Sequence, residues 1–261
     1  MHDTQSLLGR TVGELAAQLP AAIRVFEAWK IDYCCGGTTP LTDACATAGH
    51  SVEDFAAAIA AAPDASAGVA VDWQTQDMGA IRNHIVNYYH RYTREELVTL
   101  SALAAKVHSV HGHRSPELAE VEKLITELSN DMLPHMLKEE QVLFPYVDEL
   151  EQAAAGSRVA ATPFFGTVKN PVRMMTLEHD RVGELLVNVR AITKDYALPE
   201  HACFSYTQLF NRLQEFEAKT HEHIHIENNI YFPRAIALEE SAGQTAEFAQ
   251  TAAGASCCGG H

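Results

Sequence analysis

No apolar run in the chain exceeds the eight residues from Phe55 to Ala62. A helix needs about 20 such residues to cross a bilayer, so no membrane-spanning segment is expected. The opening stretch, Met1 to Leu15, lacks a basic region followed by an apolar one, and no secretory signal is read there. Basic residues are scarce: 19 Lys and Arg stand against 34 Asp and Glu, a formal net charge of −15. That balance argues against nucleic acid and anionic membranes as partners, and it suits a cytoplasmic protein or one that gathers cations. Cysteines number six, four of them in two copies of Cys-Cys-Gly-Gly, at Cys34–Gly37 and Cys257–Gly260. Adjacent cysteines without an export signal point to thiols, metal ligands or redox groups rather than a disulfide framework.

What the chain has in quantity is Ala, Leu, Glu and histidine, the last at 14 residues. The first three favour helix over strand, and an all-α fold is expected. Residues 1–62 are predicted to form a small helical domain, with capping boxes at Thr11-x-x-Glu14 and Ser51-x-x-Asp54 and a helix opened by Pro20. A small-residue stretch over 63–74 is read as a linker. Residues 75–240 carry four long helical patterns, roughly 75–107, 115–150, 170–196 and 199–238, which predict an antiparallel four-helix bundle. Residues 241–261 are Ala-, Gly-, Ser- and Gln-rich and are expected to form a disordered tail.

Two of the four patterns repeat one another. His135-x-x-x-Glu139-x-x-x-x-Phe144-Pro145 and His223-x-x-x-Glu227-x-x-x-x-Phe232-Pro233 coincide, and a further histidine precedes each, His90 by 45 residues and His179 by 44. Residues i and i+4 of a helix project about 40° apart, so each pair aims an imidazole and a carboxylate at one point. Four imidazoles and two carboxylates converging in a bundle predict a dinuclear metal site, with Glu139 and Glu227 placed to bridge and a solvent-derived bridge compatible with the count. Nitrogen and carboxylate donors with open positions suit non-haem iron, with manganese or zinc as alternatives. Asp131 and Glu178 are candidates for the second layer, able to orient an imidazole or line an access path. Pro134 is expected to loosen the helix before His135. Cys45 and Cys203 are read as core thiols.

The segment Asp32-Tyr33-Cys34-Cys35-Gly36-Gly37, followed by "HMLKEEQVLFP", "LEHDRVGELL" and "HIENNIYFPRA", resembles the iron–sulfur cluster repair di-iron proteins, whose bundle is hemerythrin-like. The resemblance covers about residues 7–238. It implies two non-haem iron ions with an oxo or hydroxo bridge, held by His90, His135, Glu139, His179, His223 and Glu227. It also implies a cytoplasmic role in nitrosative or oxidative stress, restoring damaged iron–sulfur clusters by iron donation or nitric oxide removal. The alternative is a nitric-oxide-binding sink or sensor accessory to denitrification, without turnover; a weak nitric-oxide-reductase-like activity stays open. Expected partners are nitric oxide or another diatomic ligand and iron–sulfur client proteins, with no nucleic acid and no membrane, and a homodimer is left open. Oxygen-carrying hemerythrins are similar but have a further histidine where Gly183 stands and His-x-x-x-x-Asp on the last helix, so oxygen storage is the weaker expectation. The resemblance raises a redox or metal-delivery role for Cys34 and Cys35. The tail pair, Cys257 and Cys258, lies outside it and is read as a dispensable thiol or metal-scavenging appendage.

Overall fold

The structure is a computed structural model that describes residues 4–62, 71–156 and 161–242. Most of the expected linker and the tail with Cys257 and Cys258 lie outside the described residues. Within them the protein is all-α, with an isolated bridge between Thr11 and Pro40 and no strand.

The N-terminal helices are α1 (Thr4–Leu7), α2 (Val12–Gln18), α3 (Pro20–Trp29), α4 (Leu41–Ala48) and α5 (Val52–Ala61). Both expected capping boxes form: Thr11 and Ser51 each accept from the backbone three residues on, and Glu14 and Asp54 return the contact. Pro20 occupies the first turn of α3, where its missing N–H costs nothing. Leu15, Phe26, Tyr33 and Phe55 fill this domain's own core, with Phe26 and Phe55 stacked at 5.0 Å.

The first bundle helix comprises α6 (Met78–His84), a π-helical segment Ile85–His90 and α7 (Arg91–His111). The second comprises α8 (Leu118–Lys138), a π segment Glu139–Leu143 and α9 (Phe144–Ala154). The third is α10 (Lys169–Ile192); the fourth is α11 (Phe204–Ile226) with a π segment Glu227–Tyr231, and the chain stays helical to residue 242. Helix α8 runs through Pro134 without interruption. The fourth helix does not open at Pro199. Lys194, Asp195 and Tyr196 all take positive φ first, and the helix starts only at Phe204 with Cys203 as its cap residue. Tyr196 is tied into that turn by its hydroxyl, which donates to Glu217 at 2.8 Å.

The ligand candidates stand on the buried stripes themselves. Along α8 the buried positions Val121, Ile125, Leu128 and Met132 lead at helical spacing to His135 and then Glu139. The same holds for Leu100, Leu97, Thr93 and His90 on the first bundle helix. On either side lie apolar layers: Leu100, Leu128, Leu186 and Leu213 towards one end, Ile85, Leu143, Val172 and Ile230 towards the other. The polar layer between them is thereby shielded from solvent by packed hydrocarbon on both sides.

Candidate metal centre

The six residues of the repeat meet in this layer, and none is more than 2% exposed. They form two groups of four, His90, His223, Glu139 and Glu227 on one side and His135, His179, Glu139 and Glu227 on the other. In each group one donor atom per residue lies within 4.8 Å of the others, and both carboxylates belong to both groups. His90 Nε2 and His135 Nε2 each lie 3.4 Å from Glu139 Oε2. His223 Nε2 lies 2.9 Å from Glu227 Oε1, and His179 Nε2 lies 3.2 Å from Glu227 Oε2.

The donor set fits multivalent cations. His90 Nε2, both oxygens of Glu139 and Glu227 Oε2 are buried without a hydrogen-bond partner, which is costly unless something positive satisfies them. His135 Nε2 and His179 Nε2 face each other at 3.0 Å, a contact that requires a proton or a cation between two nitrogen lone pairs.

The repeat extends to the groups that orient the imidazoles. His90 Nδ1 donates to Glu140 at 2.6 Å, and His179 Nδ1 donates to Asn228 Oδ1 at 2.9 Å. Glu140 and Asn228 each directly follow the carboxylate of their own half, so aligning one more column of the repeat would have found them. Glu140 is also held by Arg94 at 2.7 Å. His135 Nδ1 donates to Glu178 at 2.9 Å, and Lys138 holds that carboxylate from outside. Asp131 does not reach His135; it pairs with Arg181 Nε at 2.5 Å. These contacts fix the ring orientations and leave each Nε2 of these three histidines facing the centre. Phe144 and Phe232 occupy equivalent places too, at 6.0 Å from the His90 ring and 5.9 Å from His179.

Each Phe-Pro pair has a local structural consequence. Proline inside a helix lacks an N–H and crowds the carbonyl four residues back. Here a wider turn absorbs it: Phe144 N–H bonds back to Glu139 and Phe232 N–H to Glu227, each five residues away. Such π segments recur at functional sites. The one at Ile85–His90 has no proline behind it, and nothing in the sequence announces it.

The small domain covers the centre. Asn228 Nδ2 donates to the Cys34 carbonyl at 3.2 Å, so one amide links a centre-facing imidazole to the dithiol loop. Asn229 Nδ2 reaches the carbonyls of Tyr33 and Cys34 at 3.1 and 3.2 Å and His225 Nδ1 at 3.0 Å. His221 Nδ1 donates to Glu27 of α3 at 2.9 Å. Asp32 Oδ1 accepts from the backbone of Cys34 and Cys35 and lies 3.3 Å from Cys34 Sγ; the two sulfurs are 3.9 Å apart. Gly183, one turn after His179, faces Cys35: a Cβ there would lie 3.8 Å from its sulfur. A cleft of about 770 Å³ opens beside this loop, lined by Lys30, Asp32, Cys35, Gly183, Glu184 and Arg190 among others. Cys45 is buried, as expected. Cys203 is not a core thiol; it is exposed at the start of α11, 3.1 Å from His111 Nε2.

Burial alone would lower the basicity of His90 and His179, yet the carboxylates of Glu139 and Glu227 outweigh it, raising them to about 10 and about 9. Glu227 is driven the other way: burial would raise it, but the surrounding imidazoles hold it well below the usual carboxylate range. His223 is pushed down, chiefly by burial. Without a metal the site therefore carries protons on His90 and His179. Loading a cation should expel both, and below about pH 9 affinity should fall by about a hundredfold per pH unit, tenfold per proton. Calorimetry of anaerobic ferrous loading in buffers of different ionisation enthalpy reads that release; no release would contradict this protonation scheme. The stability consequence has a definite sign. Folded histidine values above the unfolded value of about 6.5 stabilise fully below it, and the contribution is lost as pH rises through about 9–10. Metal-free protein should thus lose melting temperature between pH 7 and 10, and loaded protein should keep it.

A bundle with this ligand layer defines the class, a histidine- and carboxylate-lined cation-binding protein. The family model described as the hemerythrin HHE cation binding domain matches residues 82–235, and one described as a domain of unknown function (DUF542) matches residues 8–63. The iron-sulfur cluster repair protein YtfE of Citrobacter koseri is 34% identical over 234 residues, 90% of this chain and 100% of that protein. Those of Escherichia coli (strain UMN026) and Salmonella typhimurium (strain LT2) are also 34% identical, each covering 87% of this chain and 97% of their own length. The chain belongs to the hemerythrin-like family of the YtfE iron–sulfur cluster repair proteins. Among the described residues no helix is long and apolar enough to cross a membrane.

Proposed function

We propose that this protein binds two non-haem irons and acts in the cytoplasm to repair iron–sulfur clusters damaged by nitrosative or oxidative stress. The observation that carries this reading is the pair of four-residue groups sharing Glu139 and Glu227, in a chain similar over almost its whole length to repair proteins. When bound, the iron pair supplies electrons and open coordination positions for a diatomic ligand. The chain's own residues do the rest. Glu140, Glu178 and Asn228 hold three imidazoles in one tautomer, and the apolar layers exclude water. Glu139 and Glu227, which belong to both groups, would hold both ions, and their shared role would favour exchange of iron with a damaged client.

Three behaviours of the same centre are distinct in outcome. Iron-loaded, reduced protein mixed with an apo-ferredoxin acceptor should transfer iron and restore its cluster absorption. Stoichiometric uptake of nitric oxide, without iron transfer and without nitrous oxide, would instead support the sink reading. Release of nitrous oxide would support turnover.

A further inference from the structure

The two halves of the site are related residue by residue, and at the position before His90 and His179 they differ in kind. Glu178 precedes His179 and hydrogen-bonds His135 of its own half-site. The equivalent residue before His90 is Tyr89, and it serves the equivalent histidine differently: its ring stacks flat on His223, with centroids 5.3 Å apart and planes 3° from parallel. His223 Nδ1 is accordingly the one ligand Nδ1 left without a partner. Tyr89 does not end the stack. Its ring meets His84 at 5.2 Å and Tyr88 at 4.9 Å, and His84 stacks on Trp73 at 4.3 Å. Tyr88 is 42% exposed and Trp73 is half-buried, so the rings run in contact from solvent to a centre-facing imidazole. His90 and His179 pack instead on Phe144 and Phe232, both 2% exposed, and those contacts lead into the core.

We propose that Trp73, His84 and Tyr89, with Tyr88 beside them, form the route by which single electrons enter the centre through His223. The proposal rests on the redox reading of the centre given above. Tunnelling falls off steeply across gaps and saturated carbon, and contacting aromatic rings divide the distance into short steps. Each event takes one electron from a one-electron reductant at the Trp73–Tyr88 face and lowers the charge of the bound iron pair by one; no bond in the route forms or breaks. The asymmetry has a chemical sense: a carboxylate in the Tyr89 position would strengthen the ligand but interrupt the stack.

The test uses full-length, iron-loaded, oxidised protein mixed with reduced methyl viologen, with loss of the oxidised iron absorption followed by stopped flow. Trp73→Leu and His84→Leu, both remote from the ligands, should slow reduction several-fold while iron content and the starting spectrum stay unchanged. Tyr89→Leu should slow it further, and Tyr89→Phe, which keeps the ring, should restore most of the rate. Wild-type rates in Trp73→Leu and His84→Leu with full iron would overturn the route alone. Wild-type protein that holds iron but accepts no electron would overturn the redox reading and the route with it.

Discussion

Replacing both Glu139 and Glu227 by Ala abolishes stable iron loading, and each single replacement leaves iron that is lost on gel filtration. Both carboxylates belong to both four-residue groups, so one substitution would take a donor from both groups rather than from one. The double variant leaves two imidazoles per ion, too few to hold a hard cation in competition with water. Iron quantitation after desalting reads the result directly; two irons per chain retained in the double variant would remove the bridging assignment. A second readout follows from linkage. A metal at a thousandfold excess over its Kd stabilises the native state by about 4 kcal/mol. For a bundle of this size that is about 2–4 °C of melting temperature per kcal/mol. Loading should therefore raise the wild-type melting temperature by roughly 8–16 °C and leave the double variant unmoved. Glu140→Ala is the contrasting control. Glu140 touches His90 only at Nδ1, so its loss should weaken iron affinity by about 10–100-fold without abolishing loading.

The metal-free double variant should still fold. Buried ions cost desolvation that their partners only partly offset, and removing both anions lets His90 and His179 return to neutral rings. The fall of melting temperature between pH 7 and 10 expected of the metal-free wild type should vanish with them.

The meeting of the six side chains is legible because the repeat falls on residues whose chemistry is unambiguous. His-x-x-x-Glu twice, each with a histidine about 45 positions earlier, has few explanations other than convergence. The helices were legible from their apolar spacing, and the caps at Thr11 and Ser51 from local chemistry. What the pattern did not contain was contact between distant segments. Asp131 sits one turn before His135, a spacing that suggests it orients the ring, but on an α-helix it leans out to Arg181, and the partner of His135 comes from α10. Pro199 looked like a helix start because proline favours first turns, yet a left-handed turn at Lys194–Tyr196 consumes the segment before it. Cys203 reads as a core thiol in the sequence, whereas its place at a helix cap leaves it exposed. The docking of the small domain over the centre was also hidden, because it depends on Asn228 and Asn229, polar residues unremarkable in any helix.

Among the described glycines Gly37 leaves the least room for a side chain, and Gly37→Val should break that docking. A Cβ at Gly37 would lie 2.0 Å from Asn229 Oδ1 and 2.8 Å from its Cγ. Asn229 cannot swing aside, since its Nδ2 is engaged with Tyr33, Cys34 and His225. Retreat in the other direction is blocked as well: the Gly37 carbonyl accepts from Gly13 N–H at 2.9 Å, and Gly13 itself has no room for a Cβ beside Asn229. Overpacking together with the stranded polar groups should cost about 3–5 kcal/mol. The readable consequence is at Cys34, 5% exposed in the native protein. Peptide mapping after brief iodoacetamide treatment should show Cys34 protected in wild type and alkylated in the variant, with Cys203 labelled in both. Iron loading should survive, because all six ligand residues belong to the bundle and His179 keeps its bond to Asn228. A variant with Cys34 still protected and an unchanged melting temperature would show that Gly37 does not seat the loop. Loss of iron together with undocking would show instead that the cover is part of the site, holding His179 in place through the Asn228 amide that spans the two.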